Sequence, residues 1–131
     1  MRIDKNSYYL DIAASVSKRS TCLRRRYGAV IVNNDEVIST GYNGAPRGHE
    51  NCIDKGKCKR EELGISAGER YELCESVHAE QNAIISAARK HMIGGTIYIK
   101  GFESDGKDAS ATPCMLCRRF IANAGISNII V

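Results

Sequence analysis

The chain has 131 residues, 43% of them apolar and 26% charged, which suits one packed domain and excludes a disordered chain. Its net charge of +4 is modest for a protein that binds a nucleic-acid backbone, so no nucleic-acid partner is expected. Because it has neither an apolar run of membrane-spanning length nor the core of a signal peptide, we expect a cytoplasmic protein with no membrane partner.

Helix and strand patterns alternate along the first third of the chain. Apolar side chains recur at helical spacing over residues 4–20 and predict the first helix. Two β-branched runs follow, YGAVIV at 27–32 and EVISTGYN at 36–43. The turn residues NND join them, so the two runs predict a β-hairpin.

The polar segment 49–75 breaks this alternation. It has few large apolar residues but contains three cysteines, Cys52, Cys58 and Cys74. Such a segment cannot bury enough apolar surface to offset the entropy lost on ordering. We therefore expect an insertion that is ordered only if a cross-link holds it in place.

The last part of the chain alternates again. Residues 77–90 are rich in alanine and predict a buried helix, and residues 96–102 predict a strand. After a polar loop, PCMLCRRFIANAG opens with proline and closes with glycine, as helices do, and ISNIIV predicts a final strand. This order predicts one domain over residues 1–131, with a three-layer α/β/α fold and a mixed sheet that is partly parallel in its second half.

Metal ligation explains the six cysteines better than disulfide formation does. Disulfides are rare in a reducing cytosol, and Cys114 and Cys117 have the C-x-x-C spacing. Both lie in the first turn of a predicted helix, on one face. A helix N-terminus lowers the pKa of a thiol and favours the thiolate, which is the form that binds metal.

His78 and Glu80 lie at the start of another predicted helix. Residues two apart point to nearly opposite sides of a helix interior, so these two share a site only at a helix end. One histidine and two thiolates leave a fourth position open, which is the pattern of catalytic zinc. Zinc lowers the pKa of its bound water to about 7, and Glu80 would carry the proton of that water to a substrate.

Each part of this site has another explanation when it is taken alone. A histidine at a helix start is more often a cap or a surface residue, and C-x-x-C also occurs in redox and structural sites. The combination is more specific than its parts. HAE at 78–80 followed by PCMLC at 113–117 matches the H-x-E…P-C-x-x-C signature of zinc nucleobase deaminases.

The chain resembles the cytidine and deoxycytidylate deaminase superfamily, and within it the dCMP deaminases, including a bacterial competence-operon-like branch. The resemblance runs from the first helix to the final strand through GAVIV, GYNGAPRG, HAEQNAI, PCMLC and NAGISNIIV. It implies zinc-dependent hydrolysis of dCMP to dUMP and ammonia, which supplies dUMP for thymidylate synthesis. Water activated by the zinc would attack C4 of cytosine, while Glu80 would protonate N3 and the leaving amine.

The resemblance also implies which residues contact ligands. Asn43 would hydrogen-bond the sugar, and the backbone N–H of Ala79 would help to hold the ring. Gly41, Tyr42, Asn43 and Gly44 would form a loop at an effector site where dCTP, with Mg²⁺, activates and dTTP inhibits. Taken alone, this loop would normally be interpreted as a plain surface turn. The candidates for contact with the 5′-phosphate are Arg24, Arg25, Arg26 and Arg47.

Phage-type relatives carry a second, structural zinc, and the resemblance implies that Cys22 and Cys52 ligate it here. Cys58 and Cys74 would complete a four-cysteine site that staples the polar insertion. The alternative is that some of these cysteines are buried free thiols.

Two departures from the family pattern affect these expectations. The loop 101–112 is longer than the usual link before the PCMLC helix, which would alter the wall of the active site. Relatives usually continue with another helix and strand after NIIV, so we expect either a short form or a chain whose end is missing. Family members are commonly hexamers, and a hexamer is expected here, with subunit contacts or edge pairing covering the sheet.

Two other functions share part of the pattern. A tRNA adenosine deaminase has HAE and P-C-x-x-C but is expected to be more basic. A non-catalytic zinc scaffold would bind the ion through His78, Cys114, Cys117 and a fourth protein ligand, and would not need Glu80. Substitution of Glu80 by glutamine therefore separates an enzyme from a scaffold.

Overall fold

The computed structural model describes residues 2–65, 74 and 76–131. The rest of the predicted polar insertion, residues 66–73 and 75, lies outside the described residues. In the described part of the chain, no helix has the length and apolar character needed to cross a membrane. The elements in chain order are α1 (Lys5–Ser17), β1 (Arg25–Asn33), β2 (Glu36–Tyr42), α2 (Cys52–Lys55), α3 (Lys59–Glu62), α4 (Ala79–Ile85), α5 (Arg89–Met92), β3 (Thr96–Glu103), β4 (Asp108–Ala109), α6 (Met115–Asn123) and β5 (Asn128–Ile130).

Helix α1 begins after Asp4 and ends earlier than the apolar spacing predicts. The Asp4 carboxylate accepts a 2.8 Å hydrogen bond from the N–H of Ser7, which satisfies one of the unpaired amides of the first turn. After Ser17 the backbone N–H groups bond to carbonyls three residues back instead of four. Residues 18–20 therefore form a tighter turn that ends the α-helix.

Strands β1 and β2 form the predicted hairpin. They pair antiparallel, from Gly28 opposite Tyr42 to Asn33 opposite Glu36. At the turn, Asn34 and Asp35 both take positive φ, 51° and 61°. A two-residue hairpin turn requires this conformation, and Asn and Asp tolerate it better than most residues.

Strand β3 joins the two halves of the sheet. The strand order is β2-β1-β3-β4, and β5 also pairs with β3. Strands β1 and β4 run antiparallel to β3, whereas β5 runs parallel to its first three residues. The chain reaches β5 through α6, as a parallel pair requires. The predicted mixed sheet, parallel only in its second half, is confirmed.

Helices cover both faces of the sheet. Because side chains alternate along a strand, neighbouring residues of β1 belong to different cores. Val30 and Val32 pack with α1 on one face. Ala29 and Ile31 pack with α4 and α6 on the other. The predicted three-layer α/β/α fold is therefore confirmed.

The prediction of a single buried helix over residues 77–90 is wrong, because two shorter helices, α4 and α5, occupy this region. Helix α4 ends at its cap, Ser86, and Ala88 returns to extended backbone with φ −78° and ψ 139° before α5 begins. No glycine or proline marks this break, and alanine favours a continuous helix. The break lets Met92 of α5 pack into the core, whereas Ile85 at the end of α4 is 75% exposed.

Two polar segments contain elements that the sequence did not predict. In the long loop before α6, β4 pairs Asp108 with Phe102 and Ala109 with Gly101 of β3. The first part of the insertion contains α2 and α3, each of four residues. Elements this short cannot show a helical or strand periodicity, so pattern analysis does not detect them.

Candidate metal and active site

The N-terminus of α4 positions His78 and Glu80. His78 is the cap residue, with extended backbone at φ −71° and ψ 153°, and Glu80 lies in the first helical turn. The backbone N–H of His78 donates to Oε1 of Gln81 at 3.0 Å, which fixes the cap residue at the helix start. Because the backbone of His78 is extended and not helical, its side chain need not point away from that of Glu80. The two residues line the same cavity.

The N-terminus of α6 positions Cys114 and Cys117 in a similar way. Cys114 is the cap residue, and its Sγ accepts a hydrogen bond from the N–H of Cys117 at 3.4 Å. Cys117 is fully buried and Cys114 is partly buried. The two thiols are three residues apart at a helix start and therefore lie on one face.

These two helix N-termini bring three candidate metal ligands together. Nδ1 of His78 lies 3.1 Å from Sγ of Cys117 and 3.7 Å from Sγ of Cys114. All three ligand atoms lie within 4.8 Å of one another, and no other such group occurs among the residues that the structure describes. Zinc bonds of about 2.0–2.3 Å place tetrahedral ligand atoms about 3.3–3.8 Å apart. The set therefore fits zinc with one coordination position open.

Burial shifts the pKa of two of these three candidate ligands, His78 and Cys117. Burial lowers the pKa of His78; the positive charge of Arg60 lowers it further, and the negative charge of Glu80 opposes the shift. A lower pKa favours the neutral ring, which is the form that binds metal. Burial raises the pKa of the Cys117 thiol, and Glu80 and Cys114 raise it further. A metal must displace the thiol proton when it binds.

Glu80 shares a cavity of about 120 Å³ with the ligand cluster. It is 6% exposed and is not one of the three clustered ligands. A buried carboxylate beside a metal site, rather than in it, is placed to transfer protons. The wall of the cavity also includes Tyr27, Asn43, Ala79, Ala111 and Thr112.

Comparison with known proteins assigns the chain to a family. The family model described as the cytidine and deoxycytidylate deaminase zinc-binding region matches residues 3–131. The chain belongs to the cytidine and deoxycytidylate deaminase family. The resemblance inferred from the sequence motifs is thereby confirmed.

Three relatives are each similar to this deaminase-family chain over nearly its whole length. A deoxycytidylate deaminase of Mycobacterium phage D29 is 35% identical over 98% of this chain and 94% of its own length. One of Schizosaccharomyces pombe is 35% identical over 95% of this chain, which spans only 36% of that relative. The crystal structure of a cyanophage S-TIM5 dCMP deaminase in complex with dCMP and dUMP is 26% identical, with a TM-score of 0.70, covering 98% of this chain and 81% of that one.

Asn43, the predicted sugar contact, lines the cavity and also holds two segments of the fold together. Its Oδ1 accepts hydrogen bonds from Oγ of Ser20 at 2.6 Å and from N–H of Tyr27 at 2.8 Å. Its Nδ2 donates to the carbonyl of Arg25 at 3.0 Å. This uses one of the two amide hydrogens, so Asn43 retains a donor for a ligand.

The residues of the predicted effector loop have structural roles at the start of α4. Of Gly41, Tyr42, Asn43 and Gly44, Asn43 alone lines the cavity. A Cβ at Gly41 would lie 2.5 Å from a backbone oxygen of α4. Gly44 and Val77 exchange two backbone hydrogen bonds of 3.1 and 2.6 Å. A Cβ at Gly44 would lie 2.6 Å from Oγ1 of Thr21, so close packing explains both glycines. Tyr42 is 38% exposed.

Two of the four arginines predicted as phosphate contacts line the cavity, Arg24 and Arg25. Arg26 and Arg47 are exposed and lie outside its described lining. Sequence analysis missed Arg60, which also lines the cavity and is 7% exposed. Arg60 lies in the polar insertion, where neither a motif nor a periodic pattern distinguishes it from neighbouring exposed charges.

The four cysteines predicted for a second zinc face a common space. They line a cavity of about 250 Å³ together with Lys55, Lys57 and Glu62. Their sulfurs are not as closely gathered as the ligand atoms of the His78 cluster, and none is in a disulfide. Burial and the other three thiols raise the pKa of Cys52. The four are Cys22, Cys52, Cys58 and Cys74.

Proposed function

We propose that this chain deaminates dCMP hydrolytically to dUMP and ammonia. The observation that carries the proposal is the arrangement of His78, Cys114 and Cys117 around one point, with the buried Glu80 in the same cavity. The substrate is supported by the relatives named deoxycytidylate deaminase and by the related structure that holds dCMP and dUMP. The catalytic unit would comprise residues 1–131 with the polar insertion.

His78, Cys114 and Cys117 would hold the zinc ion of the active site. When bound, zinc supplies a water of lowered pKa as a nucleophile at neutral pH. The carboxylate of Glu80 would take a proton from that water and deliver it to N3 of the cytosine, and would then protonate the leaving amine. The N–H of Ala79 is in the first turn of α4 and is not needed by the helix, so it can orient the ring.

The 2′-deoxyribose would contact Asn43. Its carbonyl oxygen already accepts two hydrogen bonds inside the protein, which fixes the orientation of the amide. The remaining amide hydrogen would donate to a sugar hydroxyl. A donor fixed in this way loses little entropy on binding.

We further propose that dCTP activates and dTTP inhibits the enzyme through the loop of Gly41 to Gly44, with Mg²⁺ bound to the effector. The support is local, because Gly41 packs on α4 and Gly44 pairs with Val77, next to the metal ligand His78. A shift of this loop would therefore move the catalytic helix. Turnover of dCMP measured with dCTP or dTTP, with and without Mg²⁺, tests this regulation. The dUMP formed would supply thymidylate synthesis.

A homo-oligomer, by family resemblance a hexamer, would cover the apolar side chains that α6 leaves exposed. Met115, Leu116 and Phe120 are 73%, 53% and 47% exposed. Large exposed apolar side chains on one helix are typical of interaction surfaces. Light scattering on the purified protein in solution measures the number of subunits, and a monomer would contradict this assembly.

A second, structural zinc would be held by the four-cysteine cavity. Because α2, α3 and their flanks contribute Cys52 and Cys58, an ion here would tie the insertion to the core. We expect two zinc ions per chain, and one fewer after substitution of Cys52 by serine. One zinc per chain in the wild type, with all four thiols readily alkylated, would contradict the second site.

The activity is tested by ammonia release from zinc-loaded protein. The substrates are dCMP, dCTP, deoxycytidine and a tRNA anticodon stem, each also incubated with the Glu80→Gln variant. We expect turnover of dCMP that exceeds that of the other substrates and is lost in the variant. Turnover of the tRNA alone would assign the chain to the editing deaminases. Failure on all four substrates with zinc bound would indicate a scaffold.

A further inference from the structure

The substrate cavity carries an excess of positive charge. Three arginines and one carboxylate residue are among the described residues that line it. The carboxylate belongs to Glu80, beside the metal ligands, and the arginines are Arg24, Arg25 and Arg60. Arginine stays charged at all physiological pH values, so this wall of the cavity favours an anion.

Arg25 is already engaged by an acidic side chain. Its Nε lies 3.2 Å from Oε2 of Glu103, and this hydrogen bond raises the pKa of the guanidinium. Both side chains are more than a third exposed, so this ion pair is in contact with solvent. Arg25 is therefore a weak candidate for binding a buried anion.

Arg24 is only partly engaged. Its Nε lies 3.4 Å from Oε1 of Glu61, and its side chain is 21% exposed. Its Nη1 is buried and has no hydrogen-bond partner among the described residues. A buried guanidinium nitrogen without an acceptor is costly, and an anionic ligand in the cavity would supply the acceptor.

Helix α3 links Arg24 to Arg60. Arg60 is 7% exposed and lines the cavity, and the next residue, Glu61, holds Arg24. His78 lines the same cavity as Arg60. The same small helix therefore supplies one guanidinium to this cavity and orients another.

We infer that Arg24 and Arg60 form the subsite for the 5′-phosphate monoester of the substrate, and that α3 makes the polar insertion the element that selects nucleotides over nucleosides. Guanidinium groups bind phosphate oxygens through paired, charge-assisted hydrogen bonds. This inference rests on the proposed function for the identity of the nucleotide. It changes the prediction from sequence, which did not include Arg60 among the phosphate contacts.

The test compares ligands that differ only by the phosphate. Isothermal titration measures the Kd of dUMP and of deoxyuridine with zinc-loaded wild type, Arg60→Gln, Arg60→Lys, Arg24→Gln and, as a matched control, Arg19→Gln, an exposed arginine outside the cavity. We expect Arg60→Gln to raise the Kd of dUMP and the KM for dCMP about 10- to 100-fold, with the Kd of deoxyuridine unchanged within about twofold. Arg24→Gln should act in the same direction.

Arg60→Lys should fall between wild type and Arg60→Gln, because lysine keeps the charge but not the forked donors. Arg19→Gln should match the wild type. Equal changes in the affinities for dUMP and deoxyuridine, or no change in either, would overturn the inference. Circular dichroism and zinc content identify a variant that has failed to fold, and Arg60→Lys and Arg24→Gln then decide the question.

Inorganic phosphate separates this inference from the proposed function. If wild type turns over no cytosine nucleotide, the proposed function fails, but titration with inorganic phosphate still probes the subsite. Binding to wild type that is weakened at least about tenfold in Arg60→Gln and Arg24→Gln would support the subsite. No binding, or equal binding in all variants, would overturn it.

Discussion

The Nδ1 atom of His78 lies 3.1 Å from the Sγ atom of Cys117, although the two residues are 39 positions apart in the chain. They begin different helices, α4 and α6, which pack side by side on one face of the sheet. A metal ion bound here would join the two helices directly. Its binding free energy would then contribute to the stability of the fold.

Cys117→Ser should remove the active-site zinc. A serine hydroxyl does not replace the thiolate as a zinc ligand, so we expect one zinc fewer per chain and no measurable turnover. The melting temperature should fall, because the ion no longer stabilises the folded state. A chelator should lower the melting temperature of wild type, and added zinc should restore it. A variant with full zinc content would show that Cys117 is not a ligand.

Glu80→Gln should abolish turnover and retain zinc. Glutamine fills the same space but cannot carry a proton, and general acid–base catalysis contributes about 10²–10⁴-fold to a rate. We expect kcat to fall by at least that factor, with zinc content and melting temperature near those of wild type. Glu36→Gln, an exposed residue at the start of β2, is the matched control. Loss of zinc together with activity would instead indicate a structural role for Glu80.

Gly41→Ala should disturb the catalytic helix through packing alone. A Cβ at residue 41 would overlap the backbone nitrogen of Ala83 and lie 2.5 Å from the oxygen of Ala79. Overpacking of this kind costs about 1–3 kcal/mol of unfolding free energy, and it would push the start of α4 away from β2. We expect a lower urea midpoint and reduced kcat/KM.

Thr40→Ala is the control for Gly41→Ala, because residue 40 is exposed on the same strand. It should leave both the urea midpoint and kcat/KM close to wild type. Unchanged stability and activity in Gly41→Ala would show that α4 moves without cost. The close packing would then not explain this glycine.

The cluster of candidate metal ligands could be predicted because its signals are local. His78 and Cys114 each begin a helix, and proline directly before Cys114 marks one of those starts in the sequence. Residues at a helix start have a fixed relation to their neighbours, so their geometry follows from spacing alone. The hairpin turn at Asn34 and Asp35 was predictable for the same reason.

The remaining features depend on contacts between distant segments. The end of α4 at Ser86 has no sequence signal, because the packing of Met92 overrides the helix preference of the alanines. Arg60 reaches the cavity only through the path of the insertion. The pKa of Cys117 is raised mainly by burial, which depends on the packing of distant segments. None of these effects can be obtained from the residue types nearby.

Tyr9→Phe should remove part of the loss of stability at high pH. The hydroxyl of Tyr9 donates to Oδ1 of Asp35 at 2.6 Å, and this hydrogen bond with burial raises the pKa of Tyr9 to about 12. An unfolded tyrosine loses its proton near pH 10, so between about pH 10 and 12 the native state binds more protons than the unfolded state. The stabilising contribution of this residue is therefore complete below about pH 10 and is lost as the pH rises towards 12.

Urea denaturation from pH 8 to 11 measures this contribution. Wild type should be more stable than Tyr9→Phe at pH 8, and the difference should shrink above about pH 10, because the phenylalanine variant has no proton to lose at this position. Tyr8→Phe keeps the bond between Tyr9 and Asp35, so it should follow the wild-type decline. A difference between wild type and Tyr9→Phe that stays constant across this range would show that Tyr9 does not titrate differently on folding.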